Sequence, residues 1–298
     1  MRYVAAAKTD VGRKRKGNED SFCLAPDLGL YVVADGMGGH AAGEVASHLA
    51  VETIREWMGK YLGGDGAAIV GPAAASGSPE ASYLLSSIRL ANRLIFDAAQ
   101  GRQDYAGMGT TLVAVLTQGD TLMLAHVGDS RIYRIRDGKI AQVSRDHSFV
   151  QEQVDRGIIS AEEAQVSQYR HMITRALGLK ETVEVDLIEE PAVAGDVLLL
   201  CSDGLSDLLE DEEILTAVQE HAADLEQACQ ALVDRANHKG GDDNVTTLLI
   251  RAQAGDAGPR PRSAKGGAGR PTASAGRAGG RAVGRGSVLG WLKRVFRG

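Results

Sequence analysis

The chain has 298 residues, 44% hydrophobic and 24% charged, with a formal net charge of -6; that length holds one large domain or two small ones, and the composition is ordinary for a globular protein apart from 37 glycines. The charge is unevenly spread: residues 251–298 carry 11 Lys/Arg and one acid, and the rest carries 22 Lys/Arg and 38 acids, a balance of about -16. An acidic body argues against nucleic acid as its partner and suits a site that attracts divalent cations. Cys23, Cys201 and Cys229 show no zinc spacing and read as buried thiols. Met1-Arg2-Tyr3-Val4 does not open a signal peptide, and no run approaches the ~20 apolar residues of a membrane span, so a cytoplasmic location is expected.

In chain order, strand patterns fall near 2–9, 20–25 and 29–34. Two helical stripes follow, Val45, Leu49, Ile54, Trp57 and Met58, then Leu84, Ile88, Ala91, Ile95 and Ala98. Gly- and Pro-rich residues 59–82 read as the loop between them. Strands are expected at 110–117, 121–127, 131–136 and 139–143, with Asp137-Gly138 as a hairpin turn. Residues 146–178 interrupt the β pattern with a helical stretch at Phe149–Arg156, a break at Gly157 and a capping box at Ser160-Ala161-Glu162-Glu163. They read as a small flap-like subdomain. Strands at 183–189, 196–202 and 244–251 flank helices at 211–221 and 224–237. Helices in pairs around hairpin-linked strands predict an α+β fold, two sheets packed face to face with helices outside.

Four aspartates sit where apolar strands begin or end. Leu30–Ala34 leads into Asp35, Leu122–Gly128 into Asp129 and Val197–Ser202 into Asp203, while Asp243 precedes Val245–Ile250. Carboxylates converging on a sheet rim repel unless cations bind between them, and hard oxygen ligands suit manganese or magnesium better than zinc. The turn Asp35-Gly36-Met37-Gly38-Gly39-His40 could instead cradle a phosphate, although the buried aspartate before it favours a metal-holding loop. His40 is open between an acid, a partner to a ligand and a helix cap.

Eight segments, in order across about 1–250, resemble the type 2C (PPM) family of metal-dependent serine/threonine protein phosphatases, in its bacterial branch. They are Arg15-Lys16-Gly17-Asn18-Glu19-Asp20, Asp35 to His40 with Gly43-Glu44, Gly109-Thr110-Thr111, Val127-Gly128-Asp129-Ser130-Arg131, Asp146-His147-Ser148, Ile173 to Gly178, Ser202-Asp203-Gly204-Leu205 and Asp242-Asp243-Asn244-Val245-Thr246. The resemblance implies a four-layer α-β-β-α sandwich of two antiparallel sheets over residues 1–251. It implies that Asp35 bridges two Mn2+ or Mg2+ ions, that Asp203 and Asp243 complete the first site, and that the Gly36 carbonyl joins the second. Glu19 and Asp20 would orient waters of the second ion, Asp129 and Asp203, helped by Asp207, would hold a weaker third, and Arg15 would clamp the substrate phosphate. Met37 stands where animal members carry a histidine assigned as general acid, so that proton must come from elsewhere.

The expected function is hydrolysis of phosphoserine and phosphothreonine in proteins, opposing a Hanks-type serine/threonine kinase. A binding protein that had lost catalysis is one rival, yet no aspartate at 35, 203 or 243 is missing. Another two-metal phosphoesterase is the second rival, and the acidic body disfavours polynucleotides. Residues 252–286 are expected to be a disordered Gly/Arg-rich linker. Placed on a helix, the apolar side chains of 287–298, Trp291 and Phe296 among them, cover about 160° of arc with cations opposite. That pattern fits a membrane surface or a partner protein, and places the enzyme at the inner face of the membrane in the first case.

Overall fold

The computed structural model describes residues 1–38, 42–64, 68–75 and 77–255. The readings for His40, for most of the linker and for residues 287–298 fall outside these residues. Residues 1–254 form one unit.

Eleven strands are described: β1 (Arg2–Asp10), β2 (Asp20–Ala25), β3 (Leu30–Met37), β4 (Gly109–Thr110), β5 (Leu112–Gln118), β6 (Thr121–Val127), β7 (Arg131–Arg136), β8 (Lys139–Gln142), β9 (Asp186–Pro191), β10 (Val197–Cys201) and β11 (Val245–Gln253). Seven α-helices accompany them, with a 3-10 turn at Gln103–Tyr105: α1 (Ala42–Leu62), α2 (Pro79–Gly101), α3 (Phe149–Asp155), α4 (Ala161–Gln165), α5 (Asp203–Ser206), α6 (Asp211–Glu220) and α7 (Leu225–His238). One sheet runs β1-β11-β10-β7-β8 and the other β2-β3-β5-β6-β9, with β4 paired to β3. Every pairing between these strands is antiparallel.

The strands β3, β5, β6 and β10 are apolar on both faces because both faces are covered. Along β3, Tyr31 and Val33 join Val113, Leu124, Ile132, Leu200 and Leu248 in the layer between the sheets. Their neighbours Leu30, Val32 and Ala34, equally buried, point the other way, and α1 packs on β2 and β3. On the opposite side Tyr133, Leu199 and Leu249 meet Leu205, Ile214, Val218, Leu232 and Val233 from α5–α7. Helix, sheet, sheet and helix therefore stack as the sequence predicts. Truncating an inter-sheet leucine such as Leu124 or Leu200 to alanine costs about 2–5 kcal/mol.

The β7–β8 turn uses Asp137 at φ 50° and Gly138 at φ 71°, the two positive angles that a type I′ turn demands. The box at Ser160 and Glu163 closes reciprocally at the start of α4. Boundaries differ from the sequence reading, and both α1 and α2 run into the loop expected at 59–82, to Leu62 and from Pro79. The strand expected at 110–117 breaks at Thr111, whose N–H turns to the Asp35 carbonyl (2.9 Å). The strand expected at 183–189 starts later, because its pairing with β6 covers only Asp186–Pro191. The short α5 is too brief for periodicity to reveal.

Antiparallel topology decides where the aspartates gather. The end of β10 lies beside the start of β11, with Cys201 opposite Thr247, so Asp203 and Asp243 leave the sheet at one edge. The start of β2 lies beside the end of β3, with Asp20 opposite Asp35.

Candidate metal centre

A cleft of about 560 Å³ opens at this edge, lined by Arg15, Glu19, Asp35, Gly36, Asp129, Asp203, Asp207 and Asp243, together with Met37, Thr111, Arg170 and His171. Every site residue expected from the sequence lines it except Asp20, which is buried behind the lining.

Each carboxylate is held by its own backbone or its neighbours. Asp35 N–H donates to Thr111 Oγ1 (3.1 Å) and the Asp35 carbonyl accepts from Thr110 Oγ1 (2.8 Å). Gly36 permits a close approach: a Cβ there would lie 2.1 Å from the Gly43 carbonyl oxygen, so the end of β3 can press against the start of α1 only with glycine present. Gly36 N–H donates to the Glu19 carbonyl (3.1 Å). Asn244 binds the 11–19 loop at three points, its Nδ2 donating to the carbonyls of Val11 and Gly17 (2.9 Å each) and its Oδ1 accepting from Glu19 N–H (2.7 Å). Asp20 Oδ2 accepts from Ser202 Oγ (2.8 Å) and Thr246 Oγ1 (2.6 Å). Asp203 and Asp207 sit at either end of α5, with the Asp207 N–H donating to the Asp203 carbonyl (2.8 Å). Arg15 Nη2 donates to Asp243 Oδ2 (2.5 Å).

The electrostatics are those of an anion cluster. Burial first, then repulsion from Asp20, Asp203 and Asp129, holds Asp35 well above the usual carboxylate range. Burial and the charges of Asp129, Asp207 and Asp243 do the same to Asp203. Burial raises Asp20 to about 6 against the pull of its two hydroxyl donors, and burial with Asp146 raises Asp129 to about 7. Asp35 and Asp203 lie within hydrogen-bond reach of each other. Asp20 Oδ1 and Asp203 Oδ1 are buried with no hydrogen-bond donor. Buried carboxylate oxygens without donors, beside other carboxylates, fit a divalent cation that takes oxygen ligands.

The matching family model is protein phosphatase 2C, over residues 14–249. The chain belongs to the protein phosphatase 2C family. It is 42% identical over 249 residues to the serine/threonine protein phosphatase PstP of Mycobacterium tuberculosis, covering 84% of this chain and 44% of that protein; the match thus spans less than half of that relative. It is 35% identical to the serine/threonine phosphatase stp of Listeria monocytogenes, covering 83% of this chain and 94% of that one. The PstP catalytic domain, solved in complex with two manganese ions, superposes with a TM-score of 0.72 at 39% identity, covering 85% of this chain and 99% of that chain. The two antiparallel sheets flanked by helices are the architecture of this phosphatase family.

Two residues of the phosphatase cleft were not singled out from the sequence. Arg170 and His171 reach it from the segment 146–178, and His171 Nδ1 lies 3.0 Å from Asp207 Oδ2. An arginine and a histidine side by side carry no local signal; only the fold brings them to the carboxylates. The holding roles of Ser202, Thr246 and Asn244 were likewise invisible, although all three lie in the family segments.

Proposed function

We propose that the chain hydrolyses phosphoserine and phosphothreonine in proteins at this carboxylate site. The observation that carries the reading is the convergence of Asp20, Asp35, Asp203 and Asp243 from strand ends of both sheets, with buried carboxylate oxygens that have no donors. The residue roles proposed are those that the resemblance implies. Asp35 with Asp203 and Asp243 would hold one ion, and Asp35 with the Gly36 carbonyl a second, whose waters Glu19 and Asp20 would orient. Asp129 and Asp203, helped by Asp207, would hold a weaker third ion. Bound there, Mn2+ or Mg2+ would supply an activated water and neutralise charge on the phosphoryl oxygens.

The rest is done by the chain itself. Arg15 already pairs with one carboxylate at the cleft mouth, and a phosphate offers its guanidinium fork the same kind of acceptor with two oxygens. Arg170 adds a second guanidinium to the lining, with the His171 imidazole beside it. Met37 lines the cleft, and its thioether holds no proton for the leaving serine or threonine oxygen. The cysteines take no part: burial raises Cys23 and Cys229 to about 11 and Cys201 to about 12, far from a nucleophilic thiolate.

Phosphate release from a phosphothreonine peptide, a phosphotyrosine peptide and DNA, each with and without Mn2+, tests this reading. Metal-dependent turnover of the first alone supports it, and faster turnover of either of the others overturns it. The natural substrates are proposed to be those of a Hanks-type serine/threonine kinase, which loss of each enzyme in turn would show as opposite changes at shared phosphosites. Among the described residues no helix is long and apolar enough to cross a membrane. Residues 287–298 are proposed to touch the inner membrane surface, on the strength of their apolar arc and cations. Sedimentation with anionic liposomes, comparing the full chain with one ending at 252, tests this; equal binding by both contradicts it.

A further inference from the structure

We propose that His147 is a positioning residue for Asp129, and that it ties the Asp129 loop to the base of the segment 146–178. The inference rests on reading Asp129 as a cation ligand. His147 grips the residue before Asp129 at two points: its N–H donates to the Gly128 carbonyl (2.9 Å), and its Nδ1 accepts from the Gly128 N–H (3.0 Å). Gly128 stands at φ +107°, and a Cβ there would lie 2.7 Å from Thr111 Cβ, so the peptide is confined from the other side. After Asp129, the Ser130 and Thr111 hydroxyls bond at 2.6 Å, and Arg131 donates three times to the Asp146 carboxylate at 2.8–3.1 Å. The residues on both sides of Asp129 are thus fixed by Thr111 and by the pair Asp146-His147.

The same short stretch faces the flap-like segment. The His147 carbonyl accepts from Thr174 N–H (2.8 Å), and Phe149 N–H donates to the Met172 carbonyl (2.8 Å). Residues 147–149 therefore run beside 172–174, next to the Arg170 and His171 that line the cleft. The His147 ring is buried and stacks on His126, with centroids 4.8 Å apart.

His126, His147 and Asp186 also place potential metal-binding atoms within 4.8 Å of one another, but this cluster is a brace. His147 Nδ1 is taken up by the Gly128 N–H, and its Nε2 lies 3.0 Å from Arg175 Nη1 and 3.4 Å from Asp186 Oδ2, so a guanidinium cation already sits against the cluster. Arg175 Nη1 meanwhile donates to Asp186 (2.6 Å).

Two substitutions separate positioning from mere packing. His147→Phe keeps a ring against His126 and removes the acceptor for Gly128 N–H; His147→Asn keeps a side-chain oxygen that can accept it. Calorimetric titration of Mn2+ into the metal-free full chain reads the cation steps without reference to activity. For His147→Phe the weakest Mn2+ step should weaken by about 10–100-fold, the range for losing a group that orients a ligand. Its tighter steps should stay near wild type, and amide exchange over 126–130 should quicken. His147→Asn should recover most of the loss. An unchanged weakest step in His147→Phe, or no recovery in His147→Asn, would overturn the proposal. Asp129→Asn separates it from the reading beneath: if that variant keeps every Mn2+ step, Asp129 is not a ligand, whereas a lost step there with His147→Phe unaffected rejects only the positioning role. The wild type alone supplies a check that needs no variant to fold. Filling the weakest step should slow exchange at 126–130 and 172–175 together, and protection confined to 126–130 would refute the tie to the segment.

Discussion

Asp20 and Asp35 are direct partners across the β2–β3 ladder, so two acidic side chains face each other with Cβ atoms about 4.5–5.5 Å apart. Like charges in that relationship destabilise a sheet, and here both are buried or half-buried and Asp203, following β10 of the other sheet, adds its repulsion to Asp35. A fold that keeps such a pair gains from it only when something positive binds between them.

The first prediction follows for stability and pH. In the metal-free protein Asp20 and Asp129 titrate near 6 and 7, above about 3.9 for an unfolded aspartate. Between those values the folded state binds more protons than the unfolded one, so stability falls as pH rises through that window. Thermal unfolding of the metal-free chain should therefore give a higher Tm near pH 5.5 than near pH 8, and the gain from Mn2+ should grow with pH. A metal-free Tm that rises between those two pH values would contradict the assignment.

Asp35→Asn removes one charge from the cluster while keeping its shape. Phosphopeptide turnover should drop by at least ~100-fold, as for other central electrostatic groups, while the metal-free protein becomes more stable because repulsion is relieved. Asp203→Asn should behave alike. Near-normal turnover in either variant would refute the site.

Arg15→Ala should mainly raise KM for a phosphopeptide, since the guanidinium binds phosphate in ground and transition states alike. Arg13→Ala should do less, because Arg13 meets the Gly241 carbonyl through its backbone N–H (2.7 Å), a contact that survives the substitution. Steady-state kinetics of the two variants decide it, and a larger effect at Arg13 would place the phosphate clamp elsewhere.

Replacing residues 150–170 with a short linker removes α3, α4 and Arg170 but none of the proposed cation ligands. Peptide preference should change more than turnover of a small aryl phosphate. Equal loss on both substrates would show that the segment only props up the cleft.

Much of this was legible in the sequence because β3, β6 and β10 are covered on both faces and so appear as apolar runs that lead to Asp35, Asp129 and Asp203. Leu30–Ala34 before Asp35 and Val197–Cys201 before Asp203 mark both an element and its functional end. The break at Thr111 was not legible, since it arises from a hydrogen bond to Asp35 some 76 residues away. Nor was the approach of His171 to Asp207 (3.0 Å), which depends on how the segment 146–178 folds back over the edge. Asp20 was read as a site residue, but its burial beneath Ser202 and Thr246 is a product of sheet packing that no local pattern encodes.

The central claim is that the carboxylate cluster works only when loaded with divalent cations. Its most direct test is phosphate release from a phosphothreonine peptide by chelator-treated chain, measured before and after Mn2+ is restored. Silence followed by recovery is the predicted result. Turnover that persists without metal, or that Mn2+ fails to bring back in a folded protein, would contradict it.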